Sequence, residues 1–392
     1  MAKHDREGPD AVQGPGASGA GRVRVLVVDD SALMRRLLCD LLNSSPEIEV
    51  VGTARDGREA VVQASRLKPD VITLDVEMPV VSGLEALPLL LAVHEAPVVM
   101  VSALTREGAV VTLQALEMGA VDFMPKPERN QLAEMRASAD MLVAKVLTAA
   151  QSRVRRSRRA RGTTATSPPS SPGASAPARP PAPSRPATAE GRTPAAPACI
   201  VIGISTGGPQ ALSLVLPLLT PPAPPILVVQ HMPAQFTGVF AQRLNRCCSV
   251  RVKEAAEGDP VLPSQILIAP GGRHMALTGA APRVRVTLRD DDPVSGHRPS
   301  VDVLFQAAAR IYQSSTVGIL MTGMGRDGVE GCKAILAAGG FTLGQDEATS
   351  VVYGMNKAAF VEKALKAQFP LDELPGIISR MAAYREEHER DA

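Results

Sequence analysis

The chain has 392 residues, 42 basic and 40 acidic side chains, and an apolar fraction of 45%. A chain of this length predicts two domains, because single domains usually hold about 100 to 200 residues. The net charge of +2 gives no general attraction to nucleic acid or to anionic membranes, and no apolar run reaches the roughly 18 to 20 residues of a membrane span.

Residues 1–21 are polar and rich in glycine, with no apolar stretch behind their charges. Secretory signals and membrane anchors need such a stretch. We therefore expect a disordered tail on a cytoplasmic protein that does not insert into the membrane.

Residues 22–145 alternate short apolar segments with segments of helical periodicity, beginning with VRVLVVDD and SALMRRLLCDLL. Fully apolar strands that alternate with amphipathic helices are typical of a doubly wound parallel sheet. Five βα units fit this region, so we predict a (βα)5 domain.

Polar side chains follow four of the five predicted strands. Asp29 and Asp30 follow the first strand, Asp75 the third, Ser102 the fourth and Lys126 the fifth. Because functional groups collect at the carboxyl ends of the strands in open parallel sheets, these five side chains are expected to meet at one edge.

Three converging carboxylates would repel one another without a cation, and oxygen ligands suit Mg²⁺. A carboxylate supported in this way can attack a phosphoryl group while an ammonium and a hydroxyl hold its oxygens. We predict that Asp75 is this nucleophile. The alternative is that the strand-end aspartates only cap the helices that follow them.

The segments DD, TLDVEMP, VSAL and KP make this half resemble a response-regulator receiver domain. The resemblance implies phosphorylation of Asp75 by a sensor histidine kinase, with Ser102 and Lys126 contacting the phosphoryl group. Phe123 falls at the position of an aromatic switch residue. The implied Mg²⁺ ligands are the side chains of Asp29, Asp30 and Asp75 and the backbone carbonyl of Glu77.

Residues 146–197 consist largely of proline, alanine, serine and arginine and are predicted to form a disordered linker. Its arginine run, RVRRSRRAR, fits either a nucleic-acid patch or a solvated linker end. We assign it no function and expect no nucleic-acid partner.

The alternation of strands and helices resumes over residues 198–388, which predicts a second doubly wound, mainly parallel α/β domain. Its first strand runs into the sequence GISTG, which fits G-x-S-x-G. Small residues on either side of Ser205 allow a sharp turn from strand to helix that exposes a nucleophilic hydroxyl. A glycine-rich turn of this kind also suits phosphate binding, so both interpretations stay open at this point.

The next strand ends at His231, and a later strand leads into a glycine-rich loop that carries Asp327. These residues could supply the base and the orienting carboxylate of a triad. Asp302 and Asp346 are rival carboxylates. We favour Asp327, because Asp302 follows a plausible helix cap at Ser300 and Asp346 follows a shorter strand.

The segments GISTGGP, VVQHMP, LIAPGGRHM, HRPSVDVLF and MTGMGRDG resemble the catalytic domain of chemotaxis-type protein-glutamate methylesterases. The resemblance implies that Ser205 attacks the γ-carbonyl of a glutamyl methyl ester, with His231 as base and Asp327 orienting it. Backbone N–H groups near Thr206 and Met324 would bind the oxyanion. It also implies deamidation of certain glutamines and no cofactor for the hydrolase.

Together the two resemblances imply an adaptation enzyme of chemotaxis-type signalling, which acts on a methyl-accepting receptor and opposes a receptor methyltransferase. The receiver would cover the active site until Asp75 is phosphorylated. The alternative is a binding module whose GISTGGP loop holds a phosphate. A transcription factor is disfavoured, because the second half is too large and has no helix-turn-helix pattern.

Overall fold

Two parallel sheets, one in each half of the chain, organise the protein. The structure is a computed structural model that describes residues 21–126, 132–152 and 198–390. The predicted tail, apart from Gly21, and the predicted linker from residue 153 to residue 197 lie outside the described residues. Residues 146–151, predicted as the start of the disordered linker, instead form the end of a helix. The predicted fold class, two α/β domains with mainly parallel sheets, is confirmed.

The N-terminal sheet has five parallel strands in the order β2-β1-β3-β4-β5, as expected of a doubly wound sheet. The strands are Val23–Val28 (β1), Ile48–Ala54 (β2), Val71–Asp75 (β3), Val98–Ser102 (β4) and Asp122–Pro125 (β5). The helices are Ala32–Asn43 (α1), Gly57–Leu67 (α2), Gly83–Val93 (α3), Arg106–Met118 (α4) and Leu132–Gln151 (α5).

Local capping determines where several of these helices begin. The Ser31 hydroxyl accepts a hydrogen bond from the backbone N–H of Met34 at the start of α1, and Asp56 caps α2 in the same manner. Ser82 and Glu85 form a capping box at the start of α3. Such caps satisfy N–H groups that have no partner within the helix and stabilise it by about 1 kcal/mol each.

The C-terminal sheet has seven parallel strands in the order β14-β13-β12-β6-β7-β9-β8. Its strands are Cys199–Ile204 (β6), Ile226–Gln230 (β7), Arg251–Glu254 (β8), Gln265–Ile268 (β9), Thr316–Leu320 (β12), Phe341–Gln345 (β13) and Ala367–Phe369 (β14). The hairpin strands His274–Thr278 (β10) and Arg285–Arg289 (β11) lie outside this sheet. The helices are Gly208–Val215 (α6), Ala234–Cys247 (α7), Val301–Tyr312 (α8), Val329–Ala337 (α9), Met355–Val361 (α10) and Leu374–Arg390 (α11).

The sequence pattern indicates the central strands β6, β7, β9 and β12 more clearly than the peripheral ones. The central strands are fully buried, whereas β8 and β11 are partly exposed and β14 has only three residues. Burial on both faces produces the continuous apolar runs that a sequence displays, and edge strands lack them. No helix in the described ranges is long and apolar enough to cross a bilayer.

The two domains contact each other through α4 and β5 of the first and α6 and α7 of the second. The Phe123 and Phe236 rings pack with their centroids 4.4 Å apart. At the same interface Gln210 donates hydrogen bonds to the backbone carbonyls at the end of α4 and just after it, and Arg243 forms an ion pair with Glu117. Apolar contact and specific polar pairs therefore both hold the N-terminal domain against the C-terminal domain.

The α8 helix is predicted to stabilise the C-terminal domain largely through Phe305, which is fully buried between the sheet and α9. Replacing Phe305 by Ala should lower the free energy of unfolding by about 3 to 5 kcal/mol, because it removes apolar contacts and leaves a cavity. The control is Phe360→Ala, since that ring is 53% exposed and should cost about 0.5 kcal/mol or less. Urea unfolding followed by circular dichroism would measure both, and equal losses would contradict the assignment of Phe305 to the core.

Candidate active site and phosphorylation site

Ser205 lies on a sharp turn between β6 and α6 and is half-buried. Gly207 has a φ of +78°, a conformation that side chains with a Cβ rarely adopt. A Cβ at Gly208 would lie 2.0 Å from Oε1 of Gln230, so the neighbouring strand leaves no room for a larger residue. Backbone conformation and lack of space therefore explain why glycines occur in GISTGG. The turn that they allow places Ser205 at the carboxyl edge of the sheet.

His231 follows β7 at the same edge, and its ring contacts the carboxylate of Asp327. The distance from His231 Nε2 to Asp327 Oδ2 is 2.9 Å. The other ring nitrogen, Nδ1, is buried and has no hydrogen-bond partner in the described part of the chain. Ser205 and His231 line one common cavity. The structure therefore brings these three sequence-predicted residues together.

The Asp327 carboxylate is fixed by the N-terminus of α8 as well as by His231. It accepts hydrogen bonds from the Ser300 hydroxyl at 2.8 Å and from the backbone N–H groups of Val301 and Asp302 at 2.8 and 3.0 Å. Burial by itself would raise the pKa of Asp327, but these hydrogen bonds and His231 outweigh it and lower the pKa. Asp327 is therefore held as an anion beside the imidazole.

The rival carboxylates make other contacts. Asp302 accepts hydrogen bonds from the backbone N–H groups of Gly328 and Gly331 at the start of α9, and burial with the nearby Asp327 charge raises its pKa to about 6. Asp346 accepts a hydrogen bond from the backbone N–H of Thr349. Neither carboxylate contacts His231 among the described hydrogen bonds, which favours Asp327 as its partner.

The prediction that Ser300 caps α8 was only partly right. Ser300 does occupy the N-cap position, but its hydroxyl makes no capping hydrogen bond and donates to Asp327 instead. The carboxylate of Asp327, which belongs to another loop, accepts hydrogen bonds from the backbone N–H groups at the start of the helix. Sequence spacing indicated the cap position but could not show that a distant carboxylate takes over its role.

Thr206 and Met324 line the same cavity as Ser205. The Thr206 hydroxyl donates a hydrogen bond of 2.6 Å to Asp122, a receiver residue, and the thioether of Met324 contacts the hydroxyl of Thr148 in α5. In the described part of the chain, no hydrogen-bond acceptor is recorded for the backbone N–H of Thr206 or Met324. Both groups are therefore available to a ligand in the cavity.

His297 is a site residue to which the sequence analysis gave no role. Its ring stacks on His231 with centroids 3.8 Å apart and planes inclined by 10°. Nδ1 of His297 is 2.8 Å from the backbone carbonyl of Ser295. Burial and the adjacent His231 lower the pKa of His297 to about 4, so the ring is neutral near pH 7. The motif HRPSVDVLF contains this histidine, but a loop position gives no signal that it stacks on another ring.

The cavity that contains Ser205 has a volume of about 300 Å³ and lies between the two domains. On one side it is lined by Ser205, Thr206, His231 and the loop around His297. On the other side it is lined by receiver residues of β5 and α5, namely Phe123, Pro125, Met141, Ala144 and Lys145. We call this second group the roof. In this arrangement the receiver covers the candidate nucleophile.

The predicted phosphorylation site lies at the carboxyl edge of the receiver sheet. Carboxylate oxygens of Asp29, Asp30 and Asp75 lie within 4.8 Å of one another. Lys126 Nζ is 2.7 Å from Asp75 and 3.0 Å from Asp29. Burial raises the pKa of Asp75 to about 6, although Lys126 opposes this shift. The structure therefore brings together four of the five groups predicted at this edge.

The Ser102 hydroxyl makes no hydrogen bond to these carboxylates among the described residues. This buried hydroxyl instead donates to the backbone carbonyls of Ala103 and Gly108 at 3.3 and 3.5 Å. Phe123, the predicted switch residue, is buried at the domain interface. Glu77 lines the cleft that also contains Asp30 and Lys126, so its position fits the predicted ligand set.

The site fits the Mg²⁺ that was predicted for it. Three carboxylates face one ammonium, and Oδ2 of the fully buried Asp29 has the Lys126 ammonium as its only charged partner in the described chain. Oxygen donors arranged around an excess of negative charge are the ligands that Mg²⁺ prefers. Asp29, Asp30 and Asp75, with Glu77, are the residues that would hold the ion.

These features define a class of protein: a response-regulator receiver joined to an α/β domain with a serine, a histidine and an aspartate at the edge of its sheet. Family comparison agrees with both halves. Residues 25–137 match the response regulator receiver domain, and residues 200–378 match CheB methylesterase. The chain belongs to the CheB methylesterase family.

Relatives cover most of the chain. It is 42% identical over 362 residues to the protein-glutamate methylesterase/protein-glutamine glutaminase of Pyrococcus abyssi, which covers 92% of this chain and 93% of the relative. It is 43% identical over 355 residues to the protein of that name from a group 3 operon of Rhodopseudomonas palustris, covering 90% and 94%.

Two solved structures from Thermotoga maritima are also similar to this chain. The CheB methylesterase catalytic domain is 37% identical with a TM-score of 0.46, covering 48% of this chain and 98% of that domain. The response regulator domain of CheB is 50% identical with a TM-score of 0.31, covering 33% and 97%.

The stacked His297 should remain neutral across the physiological pH range. Its lowered pKa predicts a titration midpoint near pH 4 rather than near the usual 6.5, because burial and the neighbouring His231 disfavour its charged form. Between these two values the unfolded chain binds more protons than the folded chain, so this group reduces stability as the pH falls from about 6.5 to about 4. NMR of ring-labelled histidine would follow the titration, with the signal assigned by its loss in His297→Asn. A midpoint near 6.5 would contradict the buried, stacked geometry.

Proposed function

We propose that the chain hydrolyses glutamyl methyl esters on a methyl-accepting receptor by a Ser205–His231–Asp327 triad, and that phosphorylation of Asp75 controls this activity. The observation that carries the proposal is the 2.9 Å contact between His231 and Asp327 beside Ser205, in a chain of the CheB methylesterase family. Deamidation of receptor glutamines is proposed as a second reaction of the same site, because the similar proteins are named protein-glutamine glutaminases as well as methylesterases.

The proposed reaction begins when His231 takes the hydroxyl proton of Ser205 through its free nitrogen, Nδ1. The serine oxygen bonds to the γ-carbonyl carbon and gives a tetrahedral oxyanion. His231 then delivers the proton to the leaving methoxide, and methanol departs from an acyl-serine. Water attacks the acyl group with His231 as base, which releases the glutamate and restores Ser205.

Asp327 stabilises the imidazolium that forms in both steps and keeps the ring in one orientation. Its own position is fixed by the start of α8, so little reorganisation is needed when the charge develops. The backbone N–H groups of Thr206 and Met324 are the proposed oxyanion donors. A glutamine amide would follow the same sequence of steps, with ammonia leaving in place of methanol.

The position of the roof supports regulation by the receiver. A protein substrate has to reach Ser205 through a cavity that receiver residues close on one side. Separation of the domains would open this path. Phosphorylation would then act by shifting the equilibrium between closed and open arrangements, which requires a difference in free energy between them.

The strand β5 connects the phosphorylation site to the roof. Lys126, which contacts Asp75, directly follows β5, and Phe123 and Asp122 lie at the start of the strand. Asp122 accepts hydrogen bonds from Lys145 in the roof and from Thr206 next to the nucleophile. A shift of Lys126 toward a phosphoryl group can therefore be transmitted along four residues to the contact with the catalytic loop.

Mg²⁺ bound by Asp29, Asp30, Asp75 and Glu77 would neutralise the carboxylates and the phosphoryl oxygens during transfer. The sensor histidine kinase that supplies the phosphoryl group and the methyltransferase that opposes the esterase belong to the proposal. They rest on the similarity to receivers and to CheB methylesterases.

Replacing Ser205 by Ala should reduce methanol release from a methylated receptor by at least about a thousandfold, because no acyl-enzyme can form. Gas chromatography of released methanol would measure the rate, and a fluorophosphonate probe should label the unchanged protein but not the variant. Ser213→Ala in α6 is the matched control and should keep both properties. Methanol release by the Ser205 variant would exclude this nucleophile. Failure of the probe to label the unchanged protein would favour a binding module.

The ion pair between Glu117 and Arg243 provides a test of domain closure, since it joins α4 to α7 away from the catalytic residues. Arg243→Glu and Glu117→Arg should each raise the basal esterase rate about threefold to fivefold, because like charges oppose the closed arrangement. The double variant restores an opposite pair and should return to the basal rate.

Each variant is also made with Asp75→Ala, which should leave the basal rate unchanged and remove stimulation by acetyl phosphate with Mg²⁺. A double variant as active as the single variants would contradict closure by this pair. Stimulation that survives Asp75→Ala would contradict the assigned phosphorylation site.

A further inference from the structure

The wall of the cavity that contains Ser205 carries positively charged side chains and no negatively charged ones among its described residues. Lys145 and Arg298 are the two Lys or Arg side chains in the described lining of the cavity, and no Asp or Glu side chain belongs to that lining. Lys145 is neutralised by Asp122 at 2.7 Å. Arg298 therefore contributes the charge that the described wall leaves without a counter-ion.

Arg298 lies in an exposed position and is held by backbone oxygens. Its Nη1 donates to the carbonyl groups of Asp290 and Asp291, at 3.0 Å each. The side chains of these two aspartates are ion-paired with Arg273 and Arg289. No ion pair between Arg298 and a carboxylate is found in the described part of the chain.

The guanidinium is thus oriented but keeps hydrogen-bonding capacity. It has five N–H donors in a planar fork, and the two backbone contacts engage a single nitrogen. Such a fork matches a carboxylate in a bidentate manner, and fixing it in advance reduces the entropy lost on binding.

The group that reacts with Ser205 does not need this charge. A glutamyl methyl ester and a glutamine amide are both neutral, so a cation in the wall of this cavity has no charged partner in the reacting side chain. Its partner must come from elsewhere on the substrate, next to the ester. A carboxylate is the natural candidate. Each methyl ester that is hydrolysed leaves a glutamate, so a neighbouring site that has already reacted carries a carboxylate.

We propose that Arg298 is a specificity-determining residue that binds an acidic side chain of the protein substrate close to the reacting glutamyl ester. This inference rests on the proposed esterase function and names a feature of its substrate. An exposed ion pair of this kind should change kcat/KM by up to about fivefold, mainly through KM.

The competing explanation is that Arg298 only fastens the loop through Asp290 and Asp291. Arg273 provides the matched control, because it also donates to a backbone carbonyl of this region, that of Leu288, and pairs with Asp290 without lining the cavity. A purely structural role predicts similar effects of both arginines on the same loop. A role in specificity predicts that only Arg298 distinguishes acidic from neutral substrates.

The experiment uses the full chain with Mg²⁺ and acetyl phosphate, and two synthetic helical peptides that each carry one γ-methyl glutamate. In one peptide the residues about one helical turn before and after the ester are glutamates, and in the other they are glutamines. Initial rates of methanol release give kcat and KM for the unchanged protein and for Arg298→Gln, Arg298→Lys and Arg273→Gln.

The unchanged protein and Arg273→Gln should prefer the acidic peptide about threefold to fivefold, with the difference in KM and reduced at high salt. Arg298→Gln should lose this preference while kcat for the neutral peptide stays the same, and Arg298→Lys should retain part of it. Two outcomes would overturn this inference and leave the proposed esterase function standing. One is equal kcat/KM values for the two peptides with the unchanged protein, and the other is equal effects of Arg273→Gln and Arg298→Gln. If neither peptide releases methanol, the proposed esterase function fails and the inference fails with it.

Discussion

The buried carboxylate of Asp327 is the point on which the catalytic edge depends. It joins three parts of the chain: the loop after β12, the start of α8 and His231 at the end of β7. Asp302 makes the reciprocal contact, since it extends from α8 to the start of α9. Two helix N-termini thus each bind a carboxylate presented by the other segment. The favourable field of a helix N-terminus keeps Asp327 ionised, and this anion in turn orients the imidazole.

The interface between the two domains lies close to the candidate catalytic residues and is connected by β5 to the cluster around Asp75. The strand β5 ends beside the proposed phosphorylation site and begins beside Thr206, so one short element contacts both. Asp122 is buried between Lys145 and Thr206, where a carboxylate without partners would be costly. Opening of the domains would therefore separate a satisfied polar cluster, and in the proposed regulation new interactions at phosphorylated Asp75 would offset this cost.

The central strands and the residues at their ends could be predicted from the sequence, because full burial produces apolar runs and parallel strands align their carboxyl ends. This reasoning brought Asp29, Asp75 and Lys126 together and placed Ser205 beside His231. It could not find His297, whose role depends on how a loop folds over another ring, nor the contact of Asp122 with Thr206 across the interface. Hydrophobic periodicity predicts which residues of a strand or helix are buried, but it does not predict which side chains meet across a loop or a domain interface.

The size of the covered cavity has a consequence for what the closed protein can act on. One turn of an α-helix with its side chains is about 10 to 12 Å wide and about 5.4 Å long, which is roughly 400 to 600 Å³, whereas the space beneath the roof amounts to about 300 Å³. A folded receptor segment does not fit into it, but water and a small ester do. In the proposed closed arrangement the receiver would therefore act as a size filter, which keeps a folded receptor segment away from Ser205 while the cavity retains room for small molecules.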